Sequence, residues 1–264
     1  MTASARLALP ISALATALCF SAPAIADTPA NAPPLPEART LVDRHIAALG
    51  GEAALQKNVQ ATIHGKFAMP AANIEAPMTI WVDGIQRMAN HVELPGLGNI
   101  QGGIQGDLVW AMDPFQGPRI LSGNERSQQI EMIAPDAIRR LPSFVSKMQT
   151  ESVAEHDGKR CYKVNVEWRS GRSSWDCYGV DDGLLLASGG KQNSPMGEID
   201  VVSIIKRYGT INGETMPVLT EMSMMGQKQL VSIDKIEPGA PDAAKFELPA
   251  AIKALAEQAG NSGN

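Results

Sequence analysis

The side chains of this 264-residue chain best suited to chemistry are four histidines, three cysteines and a few closely spaced acids. His45, His64, His91 and His156 are scattered. None belongs to a His-x-x-x-His or His-x-x-Glu-His pattern, which would aim two ligands from one helix face at a metal. His64 and His91 fall in neighbouring strand regions, but no carboxylate pattern accompanies them. Ser122-Gly123 and Ser143 lack the Gly-x-Ser-x-Gly turn that exposes a nucleophilic serine. The run Gly96-Leu97-Gly98-Asn99-Ile100-Gln101-Gly102 misses the dinucleotide spacing by one residue, and no helical pattern follows it. Asp181-Asp182 precede Gly183, where aspartate favours a turn through local hydrogen bonds. The expectation is a protein without catalytic residues, metal ligands or cofactor.

The cysteines point to a compartment instead. Arg6 is followed by an apolar run, Leu7 to Phe20, and then by Ala24-Ile25-Ala26, the small-x-small pattern at which signal peptidase cuts. Residues 1-26 therefore read as a signal peptide cleaved after Ala26, and the protein as periplasmic. Leu18 stands before Cys19 where a lipobox needs a small residue. Export discards Cys19 and leaves Cys161 and Cys177, an even pair in an oxidising compartment. The turn signal Arg169-Ser170-Gly171-Arg172 lies between them, so a hairpin folding about Arg169 would set the two cysteines opposite each other within reach of a disulfide.

Charge and composition narrow the partners. The formal net charge is -5, and losing Arg6 leaves -6, which offers no general attraction to phosphate backbones or anionic headgroups. Aromatic residues make up 5%, too few for extended stacking platforms, so nucleic acid is not an expected partner. The expected state is a monomer.

The elements that must position everything else are mostly strands. Residues 27-36 carry Pro29, Pro33, Pro34 and Pro36 among small residues and read as a flexible leader. A helix follows to Leu49, with Leu41, Val42, His45, Ile46 and Leu49 on one face, and Gly50-Gly51 stop it. A short helical turn is expected over 52-56. From Val59 the period becomes two, most clearly at Ile74, Ala76, Met78, Ile80 and Val82. Pro77 points to an edge strand or a bulge there. Asp83-Gly84 opens a hairpin into Met88, Asn90, Val92 and Leu94. Further strands are expected over 98-104, 107-113, 160-168, 174-180, 184-190, 198-208, 216-225 and 228-236. Between them, residues 123-150 carry apolar residues at helical spacing around Pro135 and Pro142, and read as short helices. A helix over 250-258 and a frayed, disordered tail over 259-264 complete one domain, 37-258.

The fold class that follows is mainly β, α+β in detail: an antiparallel sheet with one apolar face that the few helices must cover. Such a sheet either curls onto a filled core or curls around a cavity. Several segments bear on that choice. Leu41-Val42-Asp43-Arg44-His45-Ile46-Ala47-Ala48-Leu49-Gly50-Gly51-Glu52-Ala53-Ala54-Leu55 resembles the opening of periplasmic proteins of the LolA/LolB-like lipoprotein-sorting family. Glu93 to Gly98 with Gly106 to Trp110, Asp182 to Leu185, Asn212 to Pro217, and Phe246 to Pro249 fit the same resemblance in the same order. It implies a curved antiparallel half-barrel whose helices cover an apolar cavity, and a carrier of lipid or another apolar ligand, with an envelope membrane partner. Lipoprotein carriers place an arginine on the early strand, where this chain has Thr79 and Trp81.

The cavity expected on this basis is lined by Met78, Ile80, Val82, Met88, Val92 and Leu94 from the first hairpin. Trp110, Ile133, Leu141 and Phe144 would line the middle, and Val164, Val166, Met222 and Met224 the later strands. Methionines suit cargo of variable shape because the thioether side chain is flexible. The alternative is a non-catalytic scaffold module of an envelope complex, with a packed interior and an exposed apolar patch.

Overall fold

In the computed structural model, residues 34-57, 59-133, 143-194 and 197-261 are described. The signal-peptide expectation, most of the leader and Leu141 lie outside them.

Helix α1 (Ala38–Ala48) forms because Leu41, Val42, His45 and Ile46 recur on one face, all buried, while Arg39 and Asp43 pair across an exposed turn at 2.9 Å. Gly50 and Gly51 take φ of 106° and 84°, which side chains resist, and the chain reverses into α2 (Glu52–Lys57).

Thirteen strands then form one antiparallel sheet among the described residues. The first six are β1 (Gln60–Met69), β2 (Ile74–Asp83), β3 (Arg87–Leu94), β4 (Gly98–Gln105), β5 (Leu108–Asp113) and β6 (Gly117–Ile120). They pair as a meander with β6 at one edge. The other seven are β7 (Val145–His156), β8 (Lys159–Trp168), β9 (Ser173–Gly179), β10 (Leu185–Ser194), β11 (Gly197–Ile211), β12 (Glu214–Met224) and β13 (Gln227–Pro238). They form a second meander with β7 at the far edge, and β1 joins β13 to make the sheet continuous.

Helix α3 (Gly123–Ile133) sits in the connection that must carry the chain from the β6 edge back to the β7 edge. Its Ile130 packs on Ile104, Val109 and Leu121, while two residues earlier Gln128 accepts the N–H of Asn193 on β10 at 3.1 Å. In a flat sheet, β4 and β10 would lie seven strand spacings apart, about 34 Å. An 11-residue helix is only about 16 Å long. The sheet therefore curls around α3 as an open half-barrel.

Directly paired residues share a face, so the register defines an inner surface. One row runs Val164, Asp176, Ser188, Ser203, Met222; two residues along β12 another runs Thr220, Val231, Phe67, Ala76. Met78, Val92 and Ile100 continue it, as do Met88, Ile104 and Val109. The opposite face carries Thr62, Trp81, Ala89, Gly103, Trp110 and Ile120 in register. Helix α1 covers the inner surface at Val145, Val164, Val166, Trp168 and Tyr178. A 3-10 turn (Ala243–Phe246) lies outside, with Arg87 stacked on Phe246 at 4.4 Å and Lys245 over Trp81 at 5.7 Å. Helix α4 (Ala250–Asn261) follows and packs by β6.

Four expectations need correction. Residues 145-150 belong to β7, not to a helix; bulges near Lys147 and Ser152 interrupt its alternation and leave an apolar spacing that imitates a helix. β2 is interior despite Pro77, because the β2–β3 ladder begins at Met78 and asks no donor of the proline. Helix α4 continues to Asn261, past the expected start of fraying at 259. The β8–β9 hairpin folds one residue later than expected, placing Cys161 opposite Gly179 and Cys177 opposite Lys163. The disulfide forms all the same, diagonally, with Cα atoms 5.4 Å apart.

Candidate functional site

The inner surface is not uniform. Across β9 to β11 it is polar: Trp168 donates its indole N–H to Ser174 at 2.8 Å, and Tyr178 donates its hydroxyl to buried Asp176 at 3.0 Å. Above them Arg172 stacks on Trp168 and donates two N–H groups to buried Glu131 at 3.0 and 2.9 Å, fastening α3 to the β8–β9 turn. A cleft of about 190 Å³ runs between α3 and these strands, lined by polar groups such as Gln128, Asp176, Ser188 and Ser203 together with Trp168, Trp175 and Met222.

The apolar part lies elsewhere. Between the α1–α2 reversal and the ends of β1, β2, β12 and β13 is a pocket of about 310 Å³. Leu49, Ala54, Leu55 and Val59 roof it, Ile63, Val82 and Ile85 form one wall, and Met216, Pro217, Ile233 and Ile236 form the other. Its local causes are legible. The Gly50-Gly51 reversal swings α2 across the barrel end, the unbroken β1–β2 register sets Ile63 against Ile80, and a bulge at Asp234 of β13 brings Ile236 opposite Ile63 on the other side. A Cβ on Gly65 would lie 1.8 Å from the Ser232 carbonyl oxygen, so this close crossing of β1 and β13 requires glycine. Glu214, at 5% exposure, is the single ionisable lining residue; Lys57 at the end of α2 approaches its Oε1 at 3.0 Å.

The structure distributes the residues named from sequence over this surface. Val164 and Val166 are fully buried beneath α1, and Phe144 packs on the same cluster. Met78, Val92 and Leu94 pack among themselves with Phe67 and Ala76, and Met88 is buried next to Ile104 in register. Ile80, Val82, Met222 and Met224 are half-buried on the inner surface; Val82 lines the apolar pocket, and Met222 the polar cleft. Trp110 stands on the outer face, flat over Gly103. Ile133 ends α3. Sequence reasoning missed Leu55, Ile63, Ile85, Met216 and Ile233. The alternation of β1 and β13 marks Ile63 and Ile233, but only the sheet curl shows that they meet.

Residues that could hold a metal are placed as follows. His64 and His91 both stand opposite Thr79, one on each side, hence two strand spacings or about 10 Å apart, and His64 lies 3.7 Å from Glu237. His156, Cys161 and Cys177 converge within 4.8 Å, but the sulfurs are bonded to each other and His156 stacks on Trp175 at 5.4 Å. His45 is buried, and its Nδ1 accepts the Leu185 N–H at 3.2 Å, tying α1 to β10. Asp182 accepts the Leu184 N–H at 3.0 Å within its turn, a local structural role.

No family model matches the chain, and no curated protein matches it. Solved structures do. A LolA superfamily protein from Nitrosomonas europaea aligns over 81% of this chain and 99% of its own, with 13% identity and a TM-score of 0.50. The fold is LolA-like. A DUF1329 family protein from Desulfovibrio piger aligns over 81% of this chain and 98% of its own, with 11% identity and a TM-score of 0.51. The LolA-like half-barrel is thus reached from the chain's own register and from likeness to solved structures alike.

Proposed function

We propose that this protein is a non-catalytic envelope carrier that holds the apolar chain of a lipid or similar ligand in the pocket beneath α1 and α2. The observation that carries the reading is that pocket: about 310 Å³ lined almost wholly by aliphatic side chains and methionine, on the inner side of a LolA-like half-barrel. Small-molecule pockets run from roughly 300 to 1,000 Å³, so this one accommodates a single chain. Each methylene withdrawn from water contributes about 0.8 kcal/mol, which is why a lipid needs a carrier to cross an aqueous compartment. The Leu7–Phe20 run and Ala24-Ile25-Ala26 support a reading in which that compartment is the periplasm and the mature chain starts after Ala26. The half-buried residues Ile80, Met222 and Met224 lie on the same inner surface of the sheet as the pocket.

The test is native mass spectrometry of protein purified from the periplasmic fraction without detergent. The expected spectrum shows an adduct of lipid mass, released by organic extraction and restored by adding the extract back. Adduct-free protein that also takes up no dodecanol would refute the carrier reading.

A further inference from the structure

The polar cleft beneath α3 holds hydrogen-bonding groups that the fold itself does not use. Gln128 is 5% exposed and lines the cleft, and its Oε1 accepts the Asn193 N–H. That bond fixes which way the amide points. It leaves the N–H donors of Nε2 without an acceptor among the described residues, on an atom that is not sealed off. Across from α3, Ser188 on β10 and Ser203 on β11 are directly paired, half-buried, and both line the cleft. Directly paired side chains stand about 5 Å apart at Cβ, and neither hydroxyl has a partner among the described residues. Gln192, further along β10 on the same face, adds a second amide with none. Buried polar groups are nearly always hydrogen-bonded, so this gathering around one cavity marks a place that something polar fills. The charged groups of the cleft are already met: Arg172 by Glu131, Lys191 by Glu198 at 3.6 Å, and Asp176 by the hydroxyl of Tyr178.

We propose that this cleft is a binding site for an uncharged polyol, a glycerol or sugar unit, held by Gln128, Ser188, Ser203 and Gln192. It shares no lining residue with the apolar pocket and stands independently of the carrier reading. A hydroxyl both donates and accepts, which suits two serines and two amides equally. A carboxylate or phosphate would enter beside Asp176 with no unpaired cation of the lining to receive it, and an ammonium would find no unpaired anion. Water could meet the same hydroxyls and amides. However, Val201 and Met222, paired with Gly190 and Ser203, offer an apolar surface beside them that suits the C–H groups of a polyol and not water. The volume of about 190 Å³ is that of about six waters at about 30 Å³ each, which matches glycerol atom for atom. The polyol is either free or the head of a lipid, and the choice of probes separates the two.

The experiment follows the indole N–H signals of the isotope-labelled intact protein by NMR. Trp168 and Trp175 line the cleft, whereas Trp81 and Trp110 lie on the outer face of the other meander. Glycerol should shift the Trp168 and Trp175 signals saturably and leave those of Trp81 and Trp110 in place. Ser188→Ala with Ser203→Ala removes two neutral hydrogen bonds and should weaken glycerol on the order of tenfold, with thermal unfolding near wild type. Gln192→Leu, which touches neither serine nor α3, should weaken it about threefold. If 1-monolauroylglycerol gives the same shifts at lower concentration than glycerol, and dodecanol does not give them, the polyol is a lipid head. Equal concentrations for the two identify a site for free polyol. The proposal is overturned if neither polyol shifts the cleft indoles saturably, or if a folded variant binds glycerol as tightly as the wild type. Tighter binding of glycerol 3-phosphate than of glycerol overturns it as well. Displacement of an environment-sensitive fluorophore by dodecanol tests the apolar pocket separately, so failure of the carrier reading leaves the glycerol result standing.

Discussion

Val82 and Val164 are both valines on the inner surface, and replacing each by arginine should break different things. Val82 is half-buried at the end of β2 and lines the apolar pocket next to Ile63 and Ile85. An arginine there can run its stem along the pocket wall and put its guanidinium in water at the rim, so the fold survives. The stem occupies space that a ligand tail would fill. If it displaces about four methylenes, at about 0.8 kcal/mol each, the loss is near 3 kcal/mol, or roughly 200-fold in affinity. Val164 is 0% exposed, with α1 packed over it through the cluster that contains Leu41, Val42 and Ile46. An arginine at that point has no route to water, and a buried unpaired charge costs several kcal/mol against a total stability of about 5–15 kcal/mol. The assay is dodecanol displacement paired with thermal unfolding of each variant. Val82→Arg should melt near wild type and bind about 200-fold more weakly, whereas Val164→Arg should be lost or strongly destabilised. Folded Val82→Arg binding within about threefold of wild type would refute the pocket assignment, and Val164→Arg melting at the wild-type temperature would refute the packing of α1.

Converting both Cys161 and Cys177 to alanine opens a loop with a sequence separation of 16 and should cost about 3 kcal/mol, read from urea midpoints; coincident midpoints would contradict it. Gly65→Ala forces a methyl into the Ser232 carbonyl and should cost at least about 3 kcal/mol, visible as poor recovery of folded protein. Hydrogen bonds from lysine hold three exposed carboxylates below their usual range: Glu151 by Lys163, Asp157 by Lys206 and Glu237 by Lys235. A carboxyl whose folded pKa is depressed adds stability above its unfolded value, about 4, and loses it as pH falls through the lower folded value. Neutralising the three with Gln or Asn should therefore flatten the acid limb of the stability profile and leave it unchanged in high salt, where such pairs are screened; an unaltered acid limb in dilute buffer would oppose this.

Much of the fold was legible because it is local. The face of α1 follows from Leu41, Val42, His45 and Ile46 at helical spacing, and its end from two successive glycines. Eight strands after the first hairpin fall within a few residues of where alternation and turn residues put them, and the diagonal disulfide needed only that β8 and β9 pair. The edge strand β7 was hidden because two bulges shift its phase. β6 is four residues long, too short for a period to declare itself.

Alternation along a strand says which residues share a face but not which face will be inside, and the choice passes from strand to strand only through register. Trp110 and Val109 illustrate this: both are buried, one beneath the outer face and one beneath the inner, and the pairing with Gly103 and Ile104 decides between them. Curvature is further removed still, because it arises from the twist of thirteen strands and from a single helix that must touch both halves of the sheet. Hence the amino-acid order by itself determined most of the strands, though not β6 and β7, together with the first helix and the cysteine pair. Tertiary structure alone decided that the apolar pocket forms at the α2 end with Ile63, Ile233 and Glu214 around it, since residues about 150 positions apart acquire a common wall only when the sheet bends.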